Sequence, residues 1–249
     1  MKTVEILNGA FGCVTLEDTV DWARDWIASG QRGYVCTVNV AILMMMRANP
    51  NLQRFVDGAS LVVADGQPLI WASYLQGDAL PERVTGVDLV DELCELASEE
   101  GFGVYFLGAR AEVIETAVAN LKARHPGLEV CGVADGYFSA AEASERARAI
   151  RESGAKLLFV GMGVPRQEEF LENQWEELGV SLAIPVGGSF DVLAGKARRA
   201  PVLLQRLGME WAFRLAQEPR RLWKRYLLTN TQFIYHVLRS ATRSEPDSR

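Results

Sequence analysis

The sequence is poor in the residues from which zinc sites and histidine-based catalytic sites are built. It has only two histidines, His125 and His236, and four cysteines, which are scattered at positions 13, 36, 94 and 131 without a C-x-x-C pair. Cysteines in this pattern, without histidines beside them, indicate reduced core thiols rather than disulfides or metal ligands. A zinc centre or a histidine triad is therefore not a credible interpretation.

A D-x-D motif is also absent. That motif commonly supplies the carboxylates that hold Mg²⁺ or Mn²⁺ on a nucleotide diphosphate. We therefore expect no metal and no other cofactor. If the ligand is a nucleotide diphosphate, arginines have to neutralise it, and Arg83 and the basic C-terminal segment are the available source.

The glycine fingerprint of dinucleotide-binding enzymes is incomplete. The run GFG at 101–103 precedes its strand, and GMGVPR at 161–166 lacks the third glycine. A dinucleotide-dependent oxidoreductase stays open as an alternative.

Long apolar runs are missing as well. The longest, VAILMMM at 40–46, is shorter than the roughly 18 residues that a membrane-spanning helix requires. The first residues contain no apolar region of the signal-peptide kind. We expect a cytoplasmic protein without a membrane span and without a nucleic-acid partner, and homo-oligomerisation is possible.

Charge is present in quantity but is unevenly distributed. The net charge of the 249 residues is −6, yet residues 1–195 carry 14 Lys and Arg against 28 Asp and Glu, whereas residues 196–249 carry 12 against 4. Segment 219–240 has the pattern of an amphipathic helix with a basic face. It could be an ordinary helix packed on the body, an interfacial helix on anionic lipid, or a lid that presents arginines to phosphate.

The body alternates between short apolar strands and helical patterns. Strands are predicted at 33–38, 60–64, 103–108, 128–133, 156–161 and 181–188, and helices at 17–29, 40–48, 87–100, 111–124, 140–153 and 166–178. This alternation predicts an α/β fold with a Rossmann-like, mostly parallel sheet and helices on both faces. We predict this domain over residues 1–195, a basic helical appendage over 196–241, and a disordered tail over 242–249.

Nearly every predicted strand is followed by glycines and a polar group. Because ligands of such sheets bind beyond the carboxyl ends of the strands, these positions predict a ligand crevice. Glycines there favour a phosphate-bearing ligand, which backbone N–H groups can bind. The candidates are Thr37, Asn39, Asp65, Gly66, Gly108, Asp135, Gly136, Tyr137, Gly161, Gly163, Gln167, Gly187, Gly188 and Asp191.

A series of sequence blocks resembles the WecG/TagA/CpsF glycosyltransferases, glycosyltransferase family 26. The resemblance runs from about Gly9 to Phe233. The blocks that carry it, in order, are TVNV (37–40), VVADGQPLIWA (62–72), LPERVTGVDL (80–89), GVYFLGA (103–109), DGYF (135–138), LLFVGMGVPRQEEF (157–170), VGGSFDVLAGKARRAP (186–201) and EWAFRLAQEPRRLWKRY (210–226).

The resemblance implies an inverting, metal-independent transfer of a hexose, such as N-acetylmannosamine, from a UDP-sugar donor. The implied acceptor is a polyprenyl-diphosphate-linked sugar at the inner face of the cytoplasmic membrane, in cell-surface polysaccharide synthesis. The enzyme would be peripheral there, with its appendage on the anionic membrane surface. A nucleotide-sugar-binding module without turnover stays open as an alternative.

The resemblance also implies roles for single residues. Asp65 matches the family's proposed catalytic base, and Thr37 and Asn39 match residues that line the same pocket. Arg83 matches a residue that offsets diphosphate charge, and Gln167 matches a polar contact to the sugar. Arg214 and Arg221 match appendage arginines that close over the diphosphate. From the residues alone, Asp65 could instead be a helix cap and Arg83 could pair with Glu82 or Asp88.

Overall fold

The computed structural model describes residues 1–217 and 219–241. The predicted tail 242–249 lies outside the described residues. Within the helical C-terminal segment, nine described residues have side chains that lie outside the description as well, namely Val202, Arg206, Arg221, Leu222, Lys224, Arg225, Tyr226, Ser240 and Ala241.

The described residues form eight strands, of which six make the main sheet. The strands are β1 (Thr3–Ile6), β2 (Gly9–Gly12), β3 (Gly33–Val38), β4 (Leu61–Ala64), β5 (Val104–Gly108), β6 (Val130–Ala134), β7 (Leu157–Gly161) and β8 (Leu182–Pro185). The main sheet has the order β4-β3-β8-β7-β5-β6, and β1 and β2 pair separately as an antiparallel hairpin.

Helices separate the consecutive strands of the main sheet as predicted, but the helices over 50–57, 67–75 and 189–193 were not among the predicted ones. The helices are α1 (Leu16–Ala28), α2 (Val40–Ala48), α3 (Pro50–Asp57), α4 (Gln67–Leu75), α5 (Gly86–Glu100), α6 (Ala111–Arg124), α7 (Ala143–Glu152), α8 (Arg166–Leu178), α9 (Ser189–Leu193), α10 (Val202–Arg206), α11 (Glu210–Gln217) and α12 (Pro219–Ala241). The predicted fold class, α/β with a parallel sheet and a C-terminal helical appendage, is confirmed.

Backbone contacts divide the chain into two compact units. Unit 1 comprises residues 1–15, 38–84 and 199–249, and unit 2 comprises residues 16–37 and 85–198. The predicted division into 1–195 and 196–241 was made on composition and stays a prediction.

The core of unit 2 consists of apolar strands. Such strands are typical of parallel sheets in which helices cover both faces. All residues of β5, β7 and β8 are buried, and these strands pair in parallel register. In this unit α1 packs on α5, α9 packs on both α5 and α6, and α7 packs on α8. The unit therefore presents the carboxyl ends of several parallel strands in fixed positions.

The core of unit 1 includes part of the C-terminal segment. Helix α12 packs on α2, and its residues Thr229, Phe233 and Val237 are buried at a spacing of four residues. The hairpin β1–β2 contributes Ile6 and Phe11, which are fully buried. The C-terminal half of α12 is thus an ordinary packed helix, which was one of the three interpretations left open by the sequence.

Candidate active site

Asp65 follows β4 directly, at the carboxyl end of the strand. Its N–H donates to the carbonyl of Val38 at 2.9 Å, which ties the end of β4 to the end of β3. Gly66 has a φ of 145° and is the N-cap of α4, without a side-chain capping bond. Asp65 therefore lies one residue before the N-cap position of this helix, and it is half-buried at the end of the strand.

The side chains of Asn39 and Thr37, at the end of β3, form hydrogen bonds with backbone groups. Asn39 caps α2, since its side-chain oxygen accepts from the N–H of Ile42 at 3.1 Å. Thr37 is buried, and its hydroxyl donates to the carbonyl of Pro185 at 3.3 Å. These two side chains stabilise the ends of β3 and β8, and Asn39 remains half-buried.

Arg83 is brought to the same strand end as Asp65. The N–H of Val84 donates to the carbonyl of Ala64 at 2.8 Å, so Arg83 and Asp65 adjoin one backbone hydrogen bond. The Arg83 guanidinium donates through Nη1 to Glu210 Oε2 and through Nη2 to Gln205 Oε1, both at 2.6 Å. Its ion partner is therefore Glu210 of the appendage rather than Glu82 or Asp88.

Glu210 and Gln205 were not predicted from the sequence. Both lie more than 120 positions from Arg83, and no local pattern connects them to it. The ion pair is partly buried, since the Arg83 side chain is 17% exposed and that of Glu210 is 29% exposed. Arg83 has five N–H donors, and these two bonds leave others for a ligand.

In unit 2, the glycines at the strand ends allow backbones to approach closely. A Cβ placed on Gly108 would lie 2.4 Å from the carbonyl oxygen of Gly161, and one on Gly161 would lie 2.5 Å from the ring of Phe190. A Cβ on Gly136 would lie 2.8 Å from Met162. Contacts this short have no room for a side chain, so these three glycines are required by the packing of the loops themselves.

Gln167 lies in the first turn of α8 and is 2% exposed. Its Oε1 accepts from the N–H groups of Gly163 at 3.2 Å and Gly187 at 3.0 Å, and its Nε2 donates to Glu168 Oε1 at 2.8 Å. The side chain predicted to contact the sugar is thus buried and bonded within the protein. It fastens together the loops that follow β7 and β8.

The loop after β6 carries Asp135, Gly136 and Tyr137. Asp135 Oδ1 accepts from the N–H of Tyr137 at 2.9 Å, and Oδ2 accepts from Arg146 at 3.4 Å. The Tyr137 side chain is 66% exposed. Arg166, which the sequence analysis overlooked, donates to the carbonyl of Gly136 at 3.1 Å and brings a cation to this loop.

Several backbone donors in these loops are already used. Gly136 donates to Ala109, and Tyr137, Gly163 and Gly187 donate to side chains named above. These four N–H groups therefore shape the loops and are not presented to a phosphate.

The remaining candidates lie in or next to helices α9, α11 and α12. Gly188 is the N-cap of the short helix α9, and Asp191 is half-buried within it. Arg214 is half-buried on α11. Arg221 lies on α12, but its side chain is outside the described part of the structure.

Comparison with known proteins decides the family. The profile of the Glycosyl transferase WecG/TagA/CpsF family matches residues 4–247. The chain belongs to this family. It is therefore a glycosyltransferase, as the sequence blocks predict.

Two curated relatives carry the same printed name, N-acetylglucosaminyldiphosphoundecaprenol N-acetyl-beta-D-mannosaminyltransferase. The protein of Bacillus spizizenii strain W23 is 31% identical over 214 residues, which cover 86% of this chain and 82% of the relative. The protein of Bacillus subtilis strain 168 is 28% identical over 228 residues, which cover 91% and 88%.

The C-terminal helix of this WecG/TagA/CpsF glycosyltransferase has an exposed apolar surface. Beside the buried residues that face α2, six large apolar side chains are exposed on α12, namely Trp223, Leu227, Leu228, Ile234, Tyr235 and Leu238. Of the helices in the described residues, none has the length and apolar character that a bilayer crossing requires.

Proposed function

We propose that the chain is an inverting glycosyltransferase that moves N-acetylmannosamine, or a related hexose, from a UDP-sugar to a polyprenyl-diphosphate-linked sugar without a metal ion. The observation that supports this is the match to the WecG/TagA/CpsF family over residues 4–247, together with two relatives whose names specify that acceptor class. The product would enter cell-surface polysaccharide synthesis.

In this proposal Asp65 is the general base. A hydroxyl of the acceptor sugar attacks the anomeric carbon of the donor and loses its proton to the Asp65 carboxylate. The new bond joins the acceptor oxygen to the anomeric carbon, while the bond from that carbon to the UDP phosphate oxygen breaks and UDP leaves with the electron pair. A base needs a rigid support next to the reacting group, and the end of β4 provides one.

Arg83 is the proposed cation for the diphosphate. The backbone at Arg83 lies next to Ala64 and Asp65. The Arg83 side chain is partly buried, and partial burial strengthens its interaction with an anion compared with an exposed arginine. Glu210 and Gln205 hold two of its nitrogens and fix the direction of the guanidinium plane. Asn39 sits at the neighbouring strand end in the same unit.

The loops of unit 2 are the proposed support for the donor nucleotide-sugar. Gly108, Gly136 and Gly161 allow close packing at these strand ends, and Gln167 joins the loops after β7 and β8. Tyr137, Arg166 and Asp191 bring the accessible polar and aromatic groups. The direct contacts to the donor are then expected from these side chains.

The exposed apolar residues of α12 are the proposed contact with the membrane that carries the acceptor. Aromatic residues such as Trp223 and Tyr235 favour the interface, and arginines and lysines favour anionic headgroups at about 1 kcal/mol each. We place the enzyme at the inner face of the cytoplasmic membrane, where UDP-sugars are available.

A donor screen tests the proposal. The purified protein is incubated with N-acetylglucosaminyl-diphosphate on a short polyprenyl chain and, in separate reactions, with different UDP-hexoses and UDP-N-acetylhexosamines. Mass spectrometry is expected to show addition of one sugar with UDP-N-acetylmannosamine or a close analogue, and the addition should persist in excess EDTA. Loss of transfer in EDTA with recovery on adding Mn²⁺ or Mg²⁺ would contradict metal independence. No transfer from any UDP-sugar would contradict the proposed reaction.

A further inference from the structure

Glu168 is a buried carboxyl group that the proposed reaction does not use. It lies in the first turn of α8, is 5% exposed, and accepts through Oε1 from Gln167 Nε2 at 2.8 Å. Its second oxygen, Oε2, is buried without a hydrogen-bond partner among the described residues. Buried carboxyl groups with an unsatisfied oxygen are rare and costly, so this one needs an explanation.

The side-chain amide of Gln167 explains why a carboxyl group is present at this buried position. Gln167 has a carbonyl end and an NH₂ end, and only the carbonyl end can accept from the N–H groups of Gly163 and Gly187. In that orientation Nε2 is buried and needs an acceptor of its own. Glu168 Oε1 is the acceptor, so the four groups form one network in which each bond supports the others.

We propose that Glu168 is a positioning residue of the transferase, which fixes the amide of Gln167 and thereby the Gly163 and Gly187 turns that support the donor. This inference rests on the proposed function, because only the proposal makes the donor the occupant of these loops. Glu168 does not touch substrate in this account. It acts through Gln167.

The surroundings of Glu168 agree with a group kept for its hydrogen bond rather than for its charge. Burial raises the pKa of Glu168 to about 7, an effect that the bond from Gln167 opposes and the nearby Glu169 reinforces. The Cys36 thiol, in β3, is buried, and burial raises its pKa. Repulsion from the Glu168 carboxylate raises the pKa of this thiol further. No cation in the described structure pairs with Glu168 in a salt bridge.

Three variants separate positioning from packing and charge. Glu168→Met keeps the side-chain volume and removes the acceptor. Glu168→Gln keeps a carbonyl acceptor and removes the charge. Glu169→Ala removes an exposed carboxylate from the same helical turn and is the matched control.

The first readout is hydrogen exchange of the Gly163 and Gly187 amides, which needs no enzymatic activity. Glu168→Met should speed the exchange of both amides about tenfold, the scale of one lost hydrogen bond, whereas Glu168→Gln and Glu169→Ala should stay within about threefold of the wild type. Unchanged exchange in Glu168→Met would overturn the proposal. If Glu168→Met does not fold, Glu168→Gln alone tests the proposal. A tenfold faster exchange of the two amides in Glu168→Gln would then overturn the proposal.

The second readout is the donor KM measured separately from kcat. Glu168→Met should raise the donor KM about tenfold with kcat within about threefold of the wild type, and Glu168→Gln should restore the wild-type KM. Equal losses in Glu168→Met and Glu168→Gln would overturn the positioning role. If the wild type transfers no sugar, the proposed function fails, while the exchange experiment still tests the network.

Discussion

The polar groups at the strand ends differ in kind between the two units. In unit 1 they are charged and partly exposed: Asp65 follows β4, and Arg83 is held by Glu210. In unit 2 the central group is the neutral amide of Gln167, buried and bonded to two backbone N–H groups. Unit 1 therefore has a carboxylate and an arginine next to one strand end, whereas the buried amide of unit 2 holds the shape of the loops around it.

A glycine-rich strand end is not by itself a phosphate site. Gly108 is explained by the close approach of the Gly161 backbone, and Gly161 by the ring of Phe190 packed against it. The chemistry has to be sought in side chains such as Asp65 and Arg83.

Replacing the proposed base should give the largest effect. Asp65→Asn should lower turnover about 10²- to 10⁴-fold, because a positioned general base contributes on that scale. UDP affinity, measured by calorimetry, should stay within about threefold, since the amide has the size of the carboxylate. Asp57→Asn, at the C-terminus of α3 in the same unit, is the control and should keep wild-type turnover. An Asp65→Asn enzyme with more than half the wild-type turnover would contradict the assignment.

Gly108→Ala tests whether the unit 2 glycines are structural. Its Cβ would collide with the Gly161 backbone, and Gly108 has a φ of 144°, so we expect a loss of about 2–5 kcal/mol in the free energy of unfolding. Gly101→Ala is the matched control, because Gly101 has a φ of 70° with no atom near its Cβ and should cost only about 1–2 kcal/mol. Urea denaturation measures both. Equal losses of unfolding free energy in the two variants would show that the contact between the new Cβ and the Gly161 backbone adds no destabilisation.

Glu168 should make stability fall as the pH rises. Its pKa is about 7 in the folded protein against 4.5 ordinarily, because burial disfavours the charged form. Between these values the folded protein binds a proton that the unfolded chain has released, so the free energy of unfolding decreases with pH across this window and the full penalty applies above it. The penalty is about 3 kcal/mol.

The measurement compares urea denaturation of wild type and Glu168→Gln at pH 5 and pH 8. The variant lacks this titration, so the wild type should lose about 3 kcal/mol relative to it between the two pH values. Parallel pH dependence in the two proteins would show that Glu168 is charged at both pH values or neutral at both.

Arg83→Ala should cost about 1.5–3 kcal/mol of transition-state stabilisation, a fall of about 10- to 100-fold in kcat/KM, because it removes a charge-assisted contact to the diphosphate. Arg83→Lys should recover only part of this, since lysine lacks the planar fork. Glu210→Gln is the control: it keeps an acceptor for Arg83 and should leave kcat/KM at or above the wild-type value. A lower melting temperature for Arg83→Ala with unchanged kinetics would show that the ion pair is only structural.

The sequence predicted the strands and helices of the α/β body to within a few residues. The runs 33–38 and 157–161 are apolar and β-branched or aromatic, and such runs are readable without tertiary information. The hairpin β1–β2 was missed because its strands are short and β2, GAFG, contains two glycines, which are uncommon in strands. Helices α3, α4 and α9 were not among the predicted helices, although Asn49 and Pro50 supply an N-cap and a first-turn proline for α3.

The sequence was less informative about how the candidate residues act. It placed Asp65 and Gln167 at strand ends, which depends on local pattern alone. It could not show that Gln167 is buried or that Glu210 pairs with Arg83, because both facts depend on segments brought together only by folding.

The contact between α12 and α2 has a consequence for synthesis on the ribosome. Helix α2 ends at Ala48 and α12 begins at Pro219, so the chain must grow by a long intervening stretch before the two can meet. At about 5–20 residues per second, this takes about 10–30 s. Unit 2 ends at residue 198 and can be complete by then, but unit 1 cannot. During that interval the face of α2 that α12 covers lacks its helical partner, and unit 1 stays incomplete until the last helix emerges.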